Sequence, residues 1–190
     1  NEGLVDHADS LNAAGRYGRG DTQWLTAGKG VQHSEMFPLI NEDKPNPLVL
    51  FQIWINLPAK NKMVEPHFTM LWGKDIPEIE CTDSNGRVTV VKVVAGELNG
   101  HRPPSPPPES WANDPKNDVW VWNIKMPANA QFTLPASSGN LNRVLYFYKG
   151  QTALVETTSI QTQKGVQLFS DAEVIINTLN EDCEFFFLQC

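Results

Sequence analysis

His33 and Glu35 are the residues of this chain whose types and spacing carry the most chemistry. Two apart on an extended strand, their side chains leave the same face, with Cα atoms about 6 to 7 Å apart. An imidazole nitrogen and a carboxylate oxygen can then converge on one ion. The same spacing also describes an ordinary surface pair, and two donors do not fill a transition-metal site, which takes three or four protein groups. Of the other histidines, His67 follows Glu65-Pro66 and reads as a ligand, a contact to a bound molecule, or ordinary packing. His101 adjoins a proline-rich stretch and has no convincing partner.

The pair closes the run Gly20-Asp21-Thr22-Gln23-Trp24-Leu25-Thr26-Ala27-Gly28-Lys29-Gly30-Val31-Gln32-His33-Ser34-Glu35. Gly28-Lys29-Gly30 separates two strand-like stretches, so the run reads as a hairpin. Gln23 and Thr26 can satisfy backbone groups, Trp24 can fill a core, Asp21 reads as a turn cap, and the glycines permit positive φ. Clusters of Val, Ile, Phe, Trp and Tyr bounded by turn residues predict strands over 22–26, 31–37, 48–56, 87–95, 119–125, 143–148, 153–158, 173–178 and 184–188. Residues 69–76 have helical character, with Pro77 placed to stop it. Many short strands at this spacing predict a sandwich or barrel. Neither a βαβ unit nor a phosphate-cradling glycine loop is present in the sequence.

Composition narrows the possibilities. Hydrophobic residues make up 41% and charged residues 19%, with six Trp and nine Phe, as a packed globular chain requires; 14 Pro and 13 Gly imply many turns. No uninterrupted apolar run approaches the roughly 20 residues of a membrane span. The net charge of -7, from 15 Lys and Arg against 22 Asp and Glu, argues against direct nucleic-acid binding. Cys81, Cys183 and Cys190 are odd in number and lack C-x-x-C spacing, which predicts neither a disulfide framework nor a zinc knuckle and fits a reducing, cytoplasmic setting, or a nuclear one in a eukaryote. Arg102-Pro103-Pro104-Ser105-Pro106-Pro107-Pro108-Glu109 is stiff and extended, and reads as an ordered crossover or as a ligand for an aromatic groove. It divides the chain into 1–95, the later part of a first domain plus a connecting segment, a crossover over 96–114 and a second domain over 115–190. The opening Glu2-Gly3 reads as the turn that ends an earlier strand.

The 20–35 run resembles the signature of the pirin family, Gly-Asp-x-Gln-Trp-Met-Thr-Ala-Gly-x-Gly-x-x-His-Ser-Glu, with Leu25 in the Met place. Phe51-Gln52-Ile53-Trp54-Ile55-Asn56-Leu57, Lys62-Met63-Val64-Glu65-Pro66, Val94-Ala95-Gly96-Glu97 and Pro107-Pro108-Glu109-Ser110-Trp111 extend the resemblance along the chain. It implies an all-β bicupin, two cupin-type β-sandwich or barrel domains, the first incomplete and the second short of the usual C-terminal segment. It also implies an iron site of three His and one Glu, in which His33 is the third histidine and Glu35 the carboxylate ligand. The other two ligands form a His-x-His pair on a strand preceding residue 1; no such pair occurs in this sequence, so Fe(II) binding by the chain is expected to be weak or absent. His7 falls on the strand after that pair and is expected to be a structural or edge histidine.

Three functions follow from the resemblance. The first is an iron-dependent dioxygenase acting on a flavonol such as quercetin, with Glu35 as the catalytic group that takes or holds the substrate's hydroxyl proton. The second is a non-enzymatic, iron-sensitive partner of other proteins or transcription cofactor. The third is a cupin scaffold without activity. An exposed sheet edge in an incomplete first domain also predicts a homodimer.

Overall fold

The computed structural model describes residues 3–137 and 139–190, so Glu2 of the expected opening turn lies outside the described residues. Among these residues are fifteen strands and three short 3-10 turns, Ala59–Asn61, Trp111–Asn113 and Pro115–Asn117, with no α-helix. The chain forms two compact units, one of 1–76 with 104–114, the other of 77–103 with 115–190.

The first, smaller unit contains β1 (Leu4–Asp9), β2 (Ala14–Gly18), β3 (Thr22–Thr26), β4 (His33–Met36) and β5 (His67–Leu71). They form a three-stranded sheet in the order β2-β1-β4 and a two-stranded sheet of β3 with β5. Alternation along β1 buries Val5 and His7. Its other face carries the exposed two-pronged pair of Asp6 with its cross-strand partner Arg16, at 2.6 and 2.7 Å. The proline-rich segment is docked on this unit: Pro107 is buried, Thr26 Oγ1 donates to the Pro108 carbonyl at 2.9 Å, and Asn61 Nδ2 donates to Glu109.

The second unit contains β6 (Glu78–Thr82), β7 (Val88–Ala95), β8 (Trp120–Met126), β9 (Gln131–Leu134), β10 (Arg143–Lys149), β11 (Thr152–Val155), β12 (Thr158–Gln161), β13 (Lys164–Leu168), β14 (Val174–Thr178) and β15 (Cys183–Gln189). A six-stranded sheet, β13-β10-β15-β8-β7-β6, faces a four-stranded one, β12-β11-β14-β9. One apolar core joins them, drawing Val91, Trp122, Ile124, Phe147, Phe185 and Phe187 from the larger sheet and Phe132, Leu134, Val155 and Ile176 from the smaller. This is the sandwich that alternating burial dictates. Both units therefore follow the all-β, two-domain expectation.

β6 and β7 pair with each other and β7 with β8, which places 77–95 in the second unit. Two expectations of detail give way. The helix over 69–76 reduces to one turn at Trp72–Ile76, because Thr69, Met70 and Leu71 are taken up by pairing with β3. The strand over 48–56 does not form, since no described strand lies in register to accept its backbone groups. Leu48, Val49, Leu50, Ile53 and Trp54 are left exposed, Trp54 at 88%. Of the six tryptophans, Trp54 should then be the most accessible to acrylamide, and Trp54→Phe should remove the most readily quenched part of the emission. Unchanged quenching would show that this run is covered.

A polar network crosses the larger sheet of the second unit. Asn123 Nδ2 donates to Tyr148 Oη at 2.7 Å, Tyr148 donates to Glu184 Oε2 at 2.6 Å, and Lys149 donates to Glu184 Oε1 at 2.6 Å. Burial pushes the Glu184 carboxyl upward, but the bonds from Lys149 and Tyr148 outweigh it and hold the group below the usual glutamate range. Its stabilising contribution is therefore complete above the ordinary value of about 4.3 and is lost as pH falls through the lower folded value. Wild type should lose more stability than Glu184→Gln between neutral pH and the acid range, measured by denaturant unfolding at each pH; parallel acid limbs would remove Glu184 as a contributor.

Candidate functional site

The site is built by two strands far apart in sequence. β1 and β4 run antiparallel, with His7 opposite Glu35 and Asp9 opposite His33. Because side chains alternate, these four residues share one face of the sheet. Tyr17, opposite Val5 on the other flank of β1, shares that face and donates its hydroxyl to Glu35 Oε1 at 3.2 Å. His33 is exposed, Glu35 half-buried and His7 buried.

The segment leading to the pair does not close as the expected hairpin. β3 pairs with β5 and β4 with β1, so the two halves of the 20–35 run belong to different sheets. The Ala27–Gly30 turn is held elsewhere: Lys29 N–H donates to the Val64 carbonyl at 3.0 Å, and its ammonium pairs with Glu65. Gly28, at φ +49, lies so close to this segment that a Cβ would stand 2.2 Å from the Val64 oxygen. Asp21 is the expected turn cap, accepting from Gly18 N–H at 3.0 Å and Gly73 N–H at 2.7 Å.

His7 lies on the central strand of its sheet, which makes it structural rather than an edge residue. Its Nε2 donates to Asp9 Oδ2 at 3.0 Å, and its Nδ1 is buried without a partner. The Asp9 carboxylate also accepts from Leu11 N–H at 2.9 Å and Ala13 N–H at 3.1 Å. Burial works to raise its pKa, but the bonds from His7 and the two backbone groups prevail and hold it below the usual aspartate range. The His7 ring stacks on His33 at 5.5 Å and on Phe68 of β5 at 5.7 Å. Burial, reinforced by the neighbouring Glu35 charge, pushes the Tyr17 phenol well above its ordinary value and keeps it a donor.

The structure thus keeps His33 and Glu35 on one face and adds His7, Asp9 and Tyr17. Sequence reasoning misses Asp9, although its two-residue spacing from His7 is the signal that singles out His33 and Glu35; Tyr17 has no sequence signal. His67 opens β5 opposite Thr26, and His101 lies in a Leu98–His101 bridge of the second unit. Among the described residues no group of three or more His, Cys, Asp or Glu side chains is arranged to hold a metal ion. One imidazole and one carboxylate suit such an ion chemically, but the residues present do not complete an iron site.

Paired antiparallel sheets in each of two units define a bicupin arrangement, the first unit the smaller. Within that class the chain resembles the pirin family. The family model described as Pirin matches residues 1–55. A pirin-like protein of Caulobacter vibrioides is 32% identical over 161 residues, covering 83% of this chain and 51% of that protein. A Pseudomonas aeruginosa protein provisionally named quercetin 2,3-dioxygenase is 32% identical over 139 residues, covering 73% and 45%. The crystal structure of quercetin 2,3-dioxygenase from Acinetobacter baumannii shares the fold with a TM-score of 0.74 at 24% identity, over 99% of this chain and 61% of that one. The chain therefore spans about half the length of these two curated relatives.

Tyr17→Phe should lower the stability of the first unit by about 1 kcal/mol, the usual worth of one hydrogen bond to a group that water can reach again. Denaturant unfolding measures it. A loss near zero would show that the Tyr17 to Glu35 bond does not persist in solution.

Proposed function

We propose that the chain carries one side of a pirin-type iron site, and that with the site complete the protein is a flavonol 2,3-dioxygenase acting on quercetin or a related compound. The single observation that carries this reading is the shared face of His33 and Glu35, with Tyr17 engaging only one of the two Glu35 oxygens. The names of relatives support the substrate class. Iron, when bound, would supply a Lewis acid for an enolic substrate and for dioxygen. The chain's own contribution is an exposed imidazole as donor and a Glu35 oxygen able to take or hold the proton of a flavonol hydroxyl.

The two-donor geometry leads to a definite outcome. The 190-residue chain, loaded with Fe(II) and dialysed without oxygen, should retain well under one equivalent by elemental analysis; a full equivalent would reveal a complete site and overturn that reading. With a strand bearing a His-x-His pair supplied ahead of residue 1, His33→Ala and Glu35→Gln should each lower iron occupancy. Quercetin bound anaerobically to this completed protein should be consumed when oxygen is admitted.

An interaction role is the second reading, and a different observation favours it. Met36, Phe37, Leu39, Ile40, Ile53 and Trp54 are all exposed in the segment that follows the pair, an apolar surface of the kind that partners cover. Full iron occupancy of the completed protein without turnover of several flavonols would decide for this reading against the enzyme.

A further inference from the structure

We propose that His7, anchored by Asp9, is a positioning residue for His33: the face of its ring, rather than a donor nitrogen, sets the plane of the His33 imidazole beside Glu35. The inference rests on the reading of His33 and Glu35 as metal donors, but that reading does not require it.

The chain of constraint starts in the backbone. The turn after β1 aims the N–H groups of Leu11 and Ala13 at Asp9 Oδ1, which fixes the carboxylate and leaves Oδ2 for His7. Side-chain exposure is 2% for His7 and 0% for Asp9, so neither can turn toward water without giving up a charge-assisted bond. The His7 ring is thereby set, with Phe68 inclined to it at 25° and His33 at 26°. Among the described residues His33 has no such anchor of its own. It is exposed, and β4 is an edge strand of the three-stranded sheet. Contact with a fixed ring restricts its rotamers before any ion arrives, which is preorganisation of a donor.

The same geometry argues against His7 as a third ligand. The lone pair of an imidazole nitrogen lies in the ring plane. Two rings inclined by only 26°, with centroids 5.5 Å apart, hold their lone pairs in separate, nearly parallel planes, which disfavours a common point of convergence. The His7 Nε2 is, in addition, committed to Asp9.

Two substitutions separate the ring face from the hydrogen bond. His7→Phe keeps the stack and loses the bond to Asp9; His7→Gln keeps a donor for Asp9 and loses the ring. Each is compared with wild type in cobalt(II) affinity, followed through the ring resonances of His33 by NMR, and in thermal midpoint. Support residues of metal ligands typically change affinity about 10- to 100-fold. His7→Gln should weaken cobalt binding by about tenfold, the low end of that range, with little loss of stability. His7→Phe should lose stability and keep its affinity. The reverse pattern, or equal affinities in wild type and both variants, would overturn the inference. Val93→Ala, a core truncation in the second unit, should lower the midpoint and leave cobalt affinity unchanged; a matching loss there would assign the effect to general destabilisation and overturn the inference too. Wild-type cobalt affinity in His33→Ala and Glu35→Gln would instead sink the donor reading itself.

Discussion

The register of β1 against β4 is the constraint on which the candidate site depends. Strand side chains alternate with a period of two, so a slip by one residue would turn His33 and Glu35 away from His7 and Asp9. The register is pinned at its far end by reciprocal bonds: Ser10 N–H donates to the Gln32 carbonyl at 2.8 Å, and Gln32 N–H donates to Ser10 Oγ at 3.1 Å. Asp9 pins it from within by closing the turn into β2. The two elements that make the site are thus aligned by Ser10 and Gln32, which lie outside it, and by Asp9, which lies within it.

The second unit is organised around a different kind of constraint, a cation without exposure. Arg143 is 0% exposed, and its guanidinium donates to the Pro135 carbonyl at 2.6 Å and, at longer range, to the carbonyls of Phe169, Ser170 and Ala172. Its charge also lies near the Trp120 and Phe187 rings, 5.5 and 5.1 Å from their centroids. Burial lowers its pKa, as expected for a cation taken from water. A lysine offers a compact ammonium with three donors in place of this rigid, planar, five-donor fork. By contrast, the pairs of Arg16 with Asp6 and Arg102 with Glu97 are largely exposed and contribute little.

In the first unit, apolar sequence and local structure part company. Residues 48–56 have the composition of a buried strand, yet they form no ladder among the described residues. Strand propensity reflects how side chains fit a pleated, half-buried surface, and it yields no strand without a neighbour in register. The exposed apolar side chains and the His33–Glu35 pair occur in the same unit.

The sequence by itself determined the fold class, most strand positions of the second unit, and the His33–Glu35 pair. Alternation and turn residues are local signals, and a two-residue spacing defines a shared face wherever a strand forms. Tertiary structure decided the partners. It sent β3 to β5 and β4 to β1 where a hairpin was expected, placed 77–95 in the second unit, and turned 69–71 into strand. It also brought Tyr17 to Glu35 and the His7 ring to His33. Strand pairing is a non-local choice made by whichever neighbour satisfies the backbone and buries the apolar face, so no local pattern around residues 20–35 could reveal it.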